Sequence, residues 1–484
     1  MRKVSTGKKT GVLAAAALTL SLVLAASGCG PSTPSTTSST ASAATSTASG
    51  SASTESVDMT IPTGPVTLNV YHWTAASNVQ PIIDEFQKEY PNVTVSYHQL
   101  TTSDHQYSNV VLASGSPVDV MAQGTIDDTR MRVENNIYTN LNPYLQADNI
   151  DFTATFGKDV AGMETFNGNV YCIPYCVNIR GLLYNKDMFD AAGVAYPTAN
   201  WTWDDLRAAA LKLTSGSDAN KVYGIIPNYD DNAGMDWGLL AQEALGANWM
   251  YSSDGKSSNF TDPAVLKSLQ YWYDMEMTDK SAWPVSDYAA LKIDSNPFVQ
   301  FYTGKAAMLI NPEYAIKYSS QSTYNFTGFN YAVAPIPKLN ASDPQTNIYY
   351  VTDWGIPVSS TQKVLAWKFI KLGSIDRPDL FAGAKGQLPA PQMSSLSSDM
   401  QTTMKNLCFN FPKFDMQSGL DTFINNPATY VYDTSTFTTA KTQINQFVMN
   451  EVINCLEGNE SPQDACQSMK VNCDSLIQQA LSGQ

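Results

Sequence analysis

Histidine is scarce in this chain, with three in 484 residues (His72, His98 and His105), and no two cysteines stand in a C-x-x-C spacing. Zinc sites draw their ligands from such clusters, so no metal or other cofactor is expected. There is no H-E-x-x-H, no G-x-S-x-G and no histidine in a triad setting, which leaves nothing recognisable to activate a nucleophile. A G-x-x-x-x-G-K-[ST] phosphate loop is also missing, so any coupling to ATP belongs to other subunits. Beyond the N-terminus no apolar run approaches the roughly 18 residues of a membrane helix. No repeat of fixed period is visible.

Cations are few. Against 44 Asp and Glu stand 29 Lys and Arg, for a net charge of −15. Four of the cations lie in the first nine residues, and without them the balance is about −19. Such a chain is repelled by nucleic acid and by anionic polymers, so a neutral or cationic ligand is expected unless the charge serves solubility alone.

The N-terminus carries its own signals. Arg2, Lys3, Lys8 and Lys9 precede a run of 16 residues, Gly11 to Ala26, which has the length of a secretory h-region. Its end, Ala26-Ser27-Gly28-Cys29, resembles the bacterial lipobox, in which the cysteine is lipidated and becomes the first mature residue. Ala26 departs from the Leu typical of that position, and an ordinary signal peptide with an incidental Cys29 is the alternative. From Pro31 to Ser56 the chain is built of Ser, Thr, Ala, Gly and Pro with the single charge of Glu55, and has nothing to bury. Such a coil spans roughly 30 Å, the reach of a tether. A mucin-like O-glycosylated stalk is compatible with it.

Assigning Cys29 to lipid leaves six of the seven cysteines: Cys172, Cys176, Cys408, Cys455, Cys466 and Cys473. Up to three disulfides are possible, though Cys466 and Cys473 share a helix face and serve equally as small core residues. About 430 residues follow the linker, too many for a single core, so two domains are expected.

The pattern along those residues is α/β. Val66 to Trp73 alternates as a strand. A helix follows with Val79, Ile82, Ile83 and Phe86 on one face, capped by Ser77 or Asn78 and ended by Pro91. Val93 to Tyr97 and Pro117 to Met121 read as further strands, with a helix ending at Gly115 between them, which implies parallel βαβ units. Thr202 is placed to cap a helix with Asp204 and Asp205 in its first turn, Asp262-Pro263 opens another, and two helices separated by Gly458 and Pro462 close the chain.

Five blocks in this order resemble the family 1 extracellular solute-binding proteins of ABC transporters, the sugar-binding lipoproteins related to maltose-binding protein. They are FQKEYPNVTV; ASGSPVDV; VYCIPYCVNIRGLLYNKDMFDAAGV followed by TWDDL; FYTGKAAM; and YAVAPIPK with VLAWKFIKLGS. Val118 departs from the family's usual Pro, and Cys172 stands where Gly is common. The resemblance implies a bilobal periplasmic-binding-protein-like fold (type II), two α/β lobes around a ligand cleft joined by hinge segments. Residues 1–28 are then the signal peptide, 29–60 the lipid anchor and linker, 61–178 with 333–374 the N-terminal lobe, and 179–332 with 375–484 the C-terminal lobe. Crossings are expected near Val177–Gly181, Tyr331–Pro335 and Leu372–Arg377.

Sugar recognition combines aromatic faces with hydrogen-bonding side chains. The loop after the first strand offers Tyr71, His72, Trp73 and Thr74, and the loop after PVDVM offers Gln123, Thr125, Asp127 and Asp128. Asn178 matches a family position that carries a ligand-binding carboxylate, with Arg180 nearby. The second lobe supplies Asn228, Tyr229, Asp230, Asp231 and Trp237; then Glu313 and Tyr314, the latter at the site of a stacking aromatic. Asp353 and Trp354 stand in a loop that is often Gly-rich in the family. Several have a structural alternative: Trp73 and Trp237 as core, Asp127 and Asp128 as helix caps; Arg180, if buried, needs a carboxylate partner, in a lobe-to-lobe or a ligand-side ion pair.

The expected protein is a non-enzymatic, monomeric receptor, anchored to the outer face of a bacterial membrane through Cys29. It would hand a sugar or oligosaccharide to ABC permease subunits served by a separate ATPase. A surface glycan-active enzyme, a binding module without transport, and a binder of peptide, polyamine or metal chelate are the alternatives.

Overall fold

A computed structural model describes residues 56–101, 105–229, 236–291, 297–426 and 428–483. The signal segment, Cys29, the tract to Glu55, Asp230 and Asp231 lie outside the described residues.

The strands are β1 (Val66–His72), β2 (Val93–Gln99), β3 (Val120–Gln123), β4 (Thr165–Phe166), β5 (Asn169–Val170), β6 (Cys172–Asn185), β7 (Tyr223–Ile226), β8 (Ala306–Pro312), β9 (Tyr331–Pro335), β10 (Thr346–Gly355), β11 (Leu388–Pro389) and β12 (Thr429–Tyr432). They pair in the order β2-β1-β3-β10-β6-β8-β7, with β9 and β11 also on β6 and β12 on β10. As the βαβ pattern implies, β1 runs parallel to β2 and β3. The helix Ala76–Glu89 between β1 and β2 buries Val79, Ile82, Ile83 and Phe86. Its cap differs from expectation: the first helical residue is Ala76, and Ala75 precedes it without a side-chain cap. β4 and β5 form a hairpin through Asn167 and Gly168, both at positive φ (51° and 80°), the turn geometry that matches strand twist.

β6 joins the two lobes. All 14 of its residues are buried. Cys172 to Ile179 pair with β10 on the first-lobe side, and from Arg180 onward the partners are β8 and β9. The partner change falls within the segment expected to cross first. Gly181 sits at that point, where a Cβ would come within 2.8 Å of both Phe423 and Val333.

The return differs from the sequence expectation. β9 pairs over its whole length with Gly181 to Asn185, so Tyr331–Pro335 stays in the second lobe. The chain returns along β10, whose start pairs with β12 and whose end pairs with β3 and β6. Residues Leu372–Asp376 extend the helix Lys363–Lys371 against the first-lobe helix, where a Cβ on Gly373 would lie 2.3 Å from Ile82 Cδ1. The last passage therefore follows at Leu388–Pro389, which pairs with Val177 and Cys176. A strand pair commits the backbone to one lobe, and sequence order alone does not reveal which strand pairs with which.

Thr202 caps the helix Trp203–Leu213 in a reciprocal box with Asp205, and Asp262 caps Pro263–Tyr273. All six described cysteines are buried free thiols. Cys176 meets Thr352 Oγ1 at 2.6 Å and Cys408 donates to the Gln387 carbonyl, while Cys466 and Cys473 face the second-lobe core, so the anticipated bridges give way to packing.

Candidate functional site

A cleft of about 1380 Å³ opens between the lobes. Strand ends and the loops beyond them build its walls, as parallel sheets dictate. The loop after β1 contributes Trp73 and Thr74, and the loop after β3 contributes Thr125, Asp127 and Asp128. Opposite stand Trp237, Gln242 and Trp249, then Tyr314, Lys317, Tyr318 and Tyr324 around the helix Ala315–Tyr318. Tyr175 of β6, Tyr350 and Thr352 of β10, Lys385, Gln387 and the segment Tyr432 to Met449 complete the lining.

Aromatic side chains in the lining come from both lobes. In the second lobe Tyr318 stacks on Tyr324 at 4.6 Å, with Tyr314 beside it at 5.7 Å. Tyr314 also meets Tyr350 hydroxyl to hydroxyl at 3.4 Å. In the first lobe Trp73 packs on His72 at 4.2 Å. His72 is fully buried, and its Nδ1 accepts from Thr74 N at 2.8 Å, so its Nε2–H donates to the Tyr175 hydroxyl at 3.0 Å. Burial, with Lys385 nearby, holds the His72 pKa well below its ordinary value, and the neutral ring acts as a strut under Tyr175.

At one end of the cleft the charges are paired. Arg180 reaches Asp236 and Asp433 at 3.7 Å each. Lys441 pairs with Asp127 and donates to the Ser435 carbonyl. Burial pushes Asp236 and Asp433 up to about 7 against the opposing pull of Arg180. The loop 433–441 also ties the lobes: Thr434 donates to Asp127, Arg130 to the Thr436 carbonyl, and Gln242 Nε2 to the Asp433 carbonyl.

Of the residues expected to meet ligand, Trp73, Thr74, Thr125, Asp127, Asp128, Trp237 and Tyr314 line the cleft. Thr125 also caps the helix Ile126–Glu134, and Trp237 is edge-packed on Trp249 with 2% of its surface exposed. The other described candidates are outside its lining. Gln123 is buried against Tyr138, and Asn178 lies behind Gln387, accepting from its Nε2 at 2.7 Å. Arg180 is consumed by its two carboxylates, and the Tyr229 hydroxyl donates to Glu276. Glu313 is fully buried and accepts from the amides of Ile179 and Leu388, a brace between β6 and β11 whose burial raises its pKa to about 8.

Asp353 and Trp354 are placed differently from expectation. Both are fully buried: Asp353 accepts from Thr129, and Trp354 packs among His72, Tyr175 and Phe381. They lie within β10, an interior strand with neighbours on both sides, so a loop reading of this stretch does not hold.

Sequence reasoning missed Tyr175, Trp249, Lys317, Tyr318, Tyr324, Tyr350, Lys385, Gln387 and Lys441. A signal existed for two of them, since Lys317 and Tyr318 follow Tyr314 at i+3 and i+4 and so share its helix face. Lys385 and Gln387 flank Gly386 in an irregular stretch, where binding residues concentrate.

Comparison with known proteins gives a consistent picture. The model of the bacterial extracellular solute-binding protein family matches residues 73–374. An uncharacterized ABC transporter extracellular-binding protein of Pyrococcus horikoshii is 23% identical over 339 residues, 66% of this chain and 71% of that one. Among solved structures, an ABC substrate-binding protein of Listeria monocytogenes in complex with cycloalternan superposes with a TM-score of 0.70 at 20% identity, covering 85% of this chain and 99% of that one. An ABC transporter solute-binding protein of Thermotoga lettingae bound with alpha-D-tagatose gives a TM-score of 0.65 at 20% identity, covering 86% and 100%.

Proposed function

The chain belongs to the bacterial extracellular solute-binding proteins, and from that premise we propose that it captures an oligosaccharide for an ABC importer. The observation that carries this reading is the gathering of aromatic side chains in one cleft, Trp73 from the first lobe with Tyr314, Tyr318 and Tyr324 from the second. Flat apolar sugar faces stack on such rings, and the Thr, Asn and Gln side chains between them suit hydroxyl groups. At about 1380 Å³ the cleft exceeds the roughly 300–1,000 Å³ of ordinary small-molecule sites, which favours several sugar units over one.

A ligand that touches both walls binds the closed arrangement better than an open one, so closure follows from differential affinity. The closed form is what the permease subunits would recognise, and their ATPase supplies the energy. The tether after Cys29 would keep the receptor, as a monomer, at the outer face of the membrane. Among the described residues no helix is long and apolar enough to cross a membrane.

A thermal-shift screen against a glycan panel tests the reading, because a ligand that binds only the folded state raises its melting temperature. Silence toward every carbohydrate, together with a shift by peptides or polyamines, would replace the substrate class. Mass spectrometry of the mature N-terminus tests the lipid on Cys29.

A further inference from the structure

Charge is distributed unevenly along the cleft. At the Arg180 end each cation has a carboxylate partner. At the opposite end Lys385 and Lys317 line the same cleft without one among the described residues. Lys385 Nζ lies 5.1 Å from the ring centroids of both Tyr175 and Phe381; besides burial, the Cys176 thiol favours its charged form and Lys317 disfavours it. Lys317 spends one hydrogen on the Ala384 carbonyl. The carboxyl group one turn earlier, Glu313, is turned away to the amides of Ile179 and Leu388, and burial raises its pKa to about 8. Burial likewise lowers Lys385 to about 8. Cation–π contacts hold an ammonium in place but do not neutralise it.

We propose that the Lys385–Lys317 end of the cleft is a subsite for an anionic group of the ligand, a carboxylate or phosphate borne on a sugar. The inference rests on the oligosaccharide reading above and narrows it to acidic glycans. A partly desolvated ammonium facing a second cation gains most from a ligand oxyanion, through a charge-assisted hydrogen bond in a site of low dielectric. Gln387, 7% exposed in the same wall, has an Oε1 with no hydrogen-bond partner and can accept from a neighbouring sugar hydroxyl. The overall negative charge points to neutral or cationic ligands, yet at short range these two lysines outweigh it, because distant charges are screened within about 10 Å of salt water.

The test is calorimetry with matched probes: trigalacturonate against α-1,4-galactotriose for the carboxylate, and glucose 6-phosphate against glucose for the phosphate. The acidic member of at least one pair should bind about 10- to 100-fold tighter, the worth of one charge-assisted contact, and weaken as salt is raised. Lys385→Met should erase that preference and Lys385→Arg should keep it, both with unaltered melting of the free protein. Equal or tighter binding of the neutral members overturns the subsite while leaving the oligosaccharide reading intact. An acid preference that survives Lys385→Met also overturns it. Failure of every carbohydrate overturns both readings.

Discussion

The two ends of the cleft place cations in opposite circumstances, with Arg180 and Lys441 buried and Lys317 and Lys385 half-buried. Arg180 and Lys441 are locked to Asp236, Asp433 and Asp127, whereas Lys385 and Lys317 rest on aromatic rings and a carbonyl. The first end pairs its charges internally and joins the lobes; the second leaves charge for something else to answer. A cleft that looks uniformly polar thus divides into a structural end and a receptive end.

The sharpest break of this contrast is Arg180→Met. It strands two buried carboxylates and should cost about 3 to 5 kcal/mol of stability in chemical denaturation. Beneath the receptive end, Trp354→Ala should cost about 3 to 5 kcal/mol through the cavity it leaves. Loss of ligand affinity with unchanged stability would instead make Trp354 a contact residue. On the wall, Tyr318→Ala should weaken glycan binding by about 1 to 3 kcal/mol in calorimetry and leave melting nearly unchanged.

Buried carboxyl groups add a pH dependence. Glu276 and Glu313 are raised to about 8 by burial, so between about pH 4.5 and 8 the folded state holds protons that the unfolded state releases. Their contribution is therefore full at the acidic side and is lost as pH rises, with a slope of at most about 1.4 kcal/mol per pH unit per group. Glu276→Gln should flatten that slope, since the amide can still accept from Val285 N and pair with Tyr229. Smallest of all, Lys385→Met should change the stability of the free protein by less than about 1 kcal/mol, because no ion pair is broken. A loss as large as that of Arg180→Met would erase the distinction between the ends.

Much of the site was legible where local chemistry speaks. Thr74, Thr125, Asp127 and Tyr314 follow strands whose ends face a cleft, and all four line it. Trp354 was misread because its neighbours Asp353 and Gly355 look like loop residues, while the strand pairing that buries it comes from Ile173 and Ala122, far off in the chain. Tyr175 lies within an apolar strand, and its place beside the cleft depends on His72, Phe381 and Lys385, all distant in the chain.

The sequence by itself determined the α/β class, the helix caps at Thr202 and Asp262, the buried face of the helix Ala76–Glu89 and the family, because periodicity and capping are properties of neighbouring residues. Where the chain crosses between lobes, that the six described cysteines are free, and which charges are paired emerge only once the fold is assembled. Those outcomes depend on contacts between residues such as Arg180 and Asp433, or Lys441 and Asp127, that lie hundreds of positions apart and meet only once the sheet is assembled.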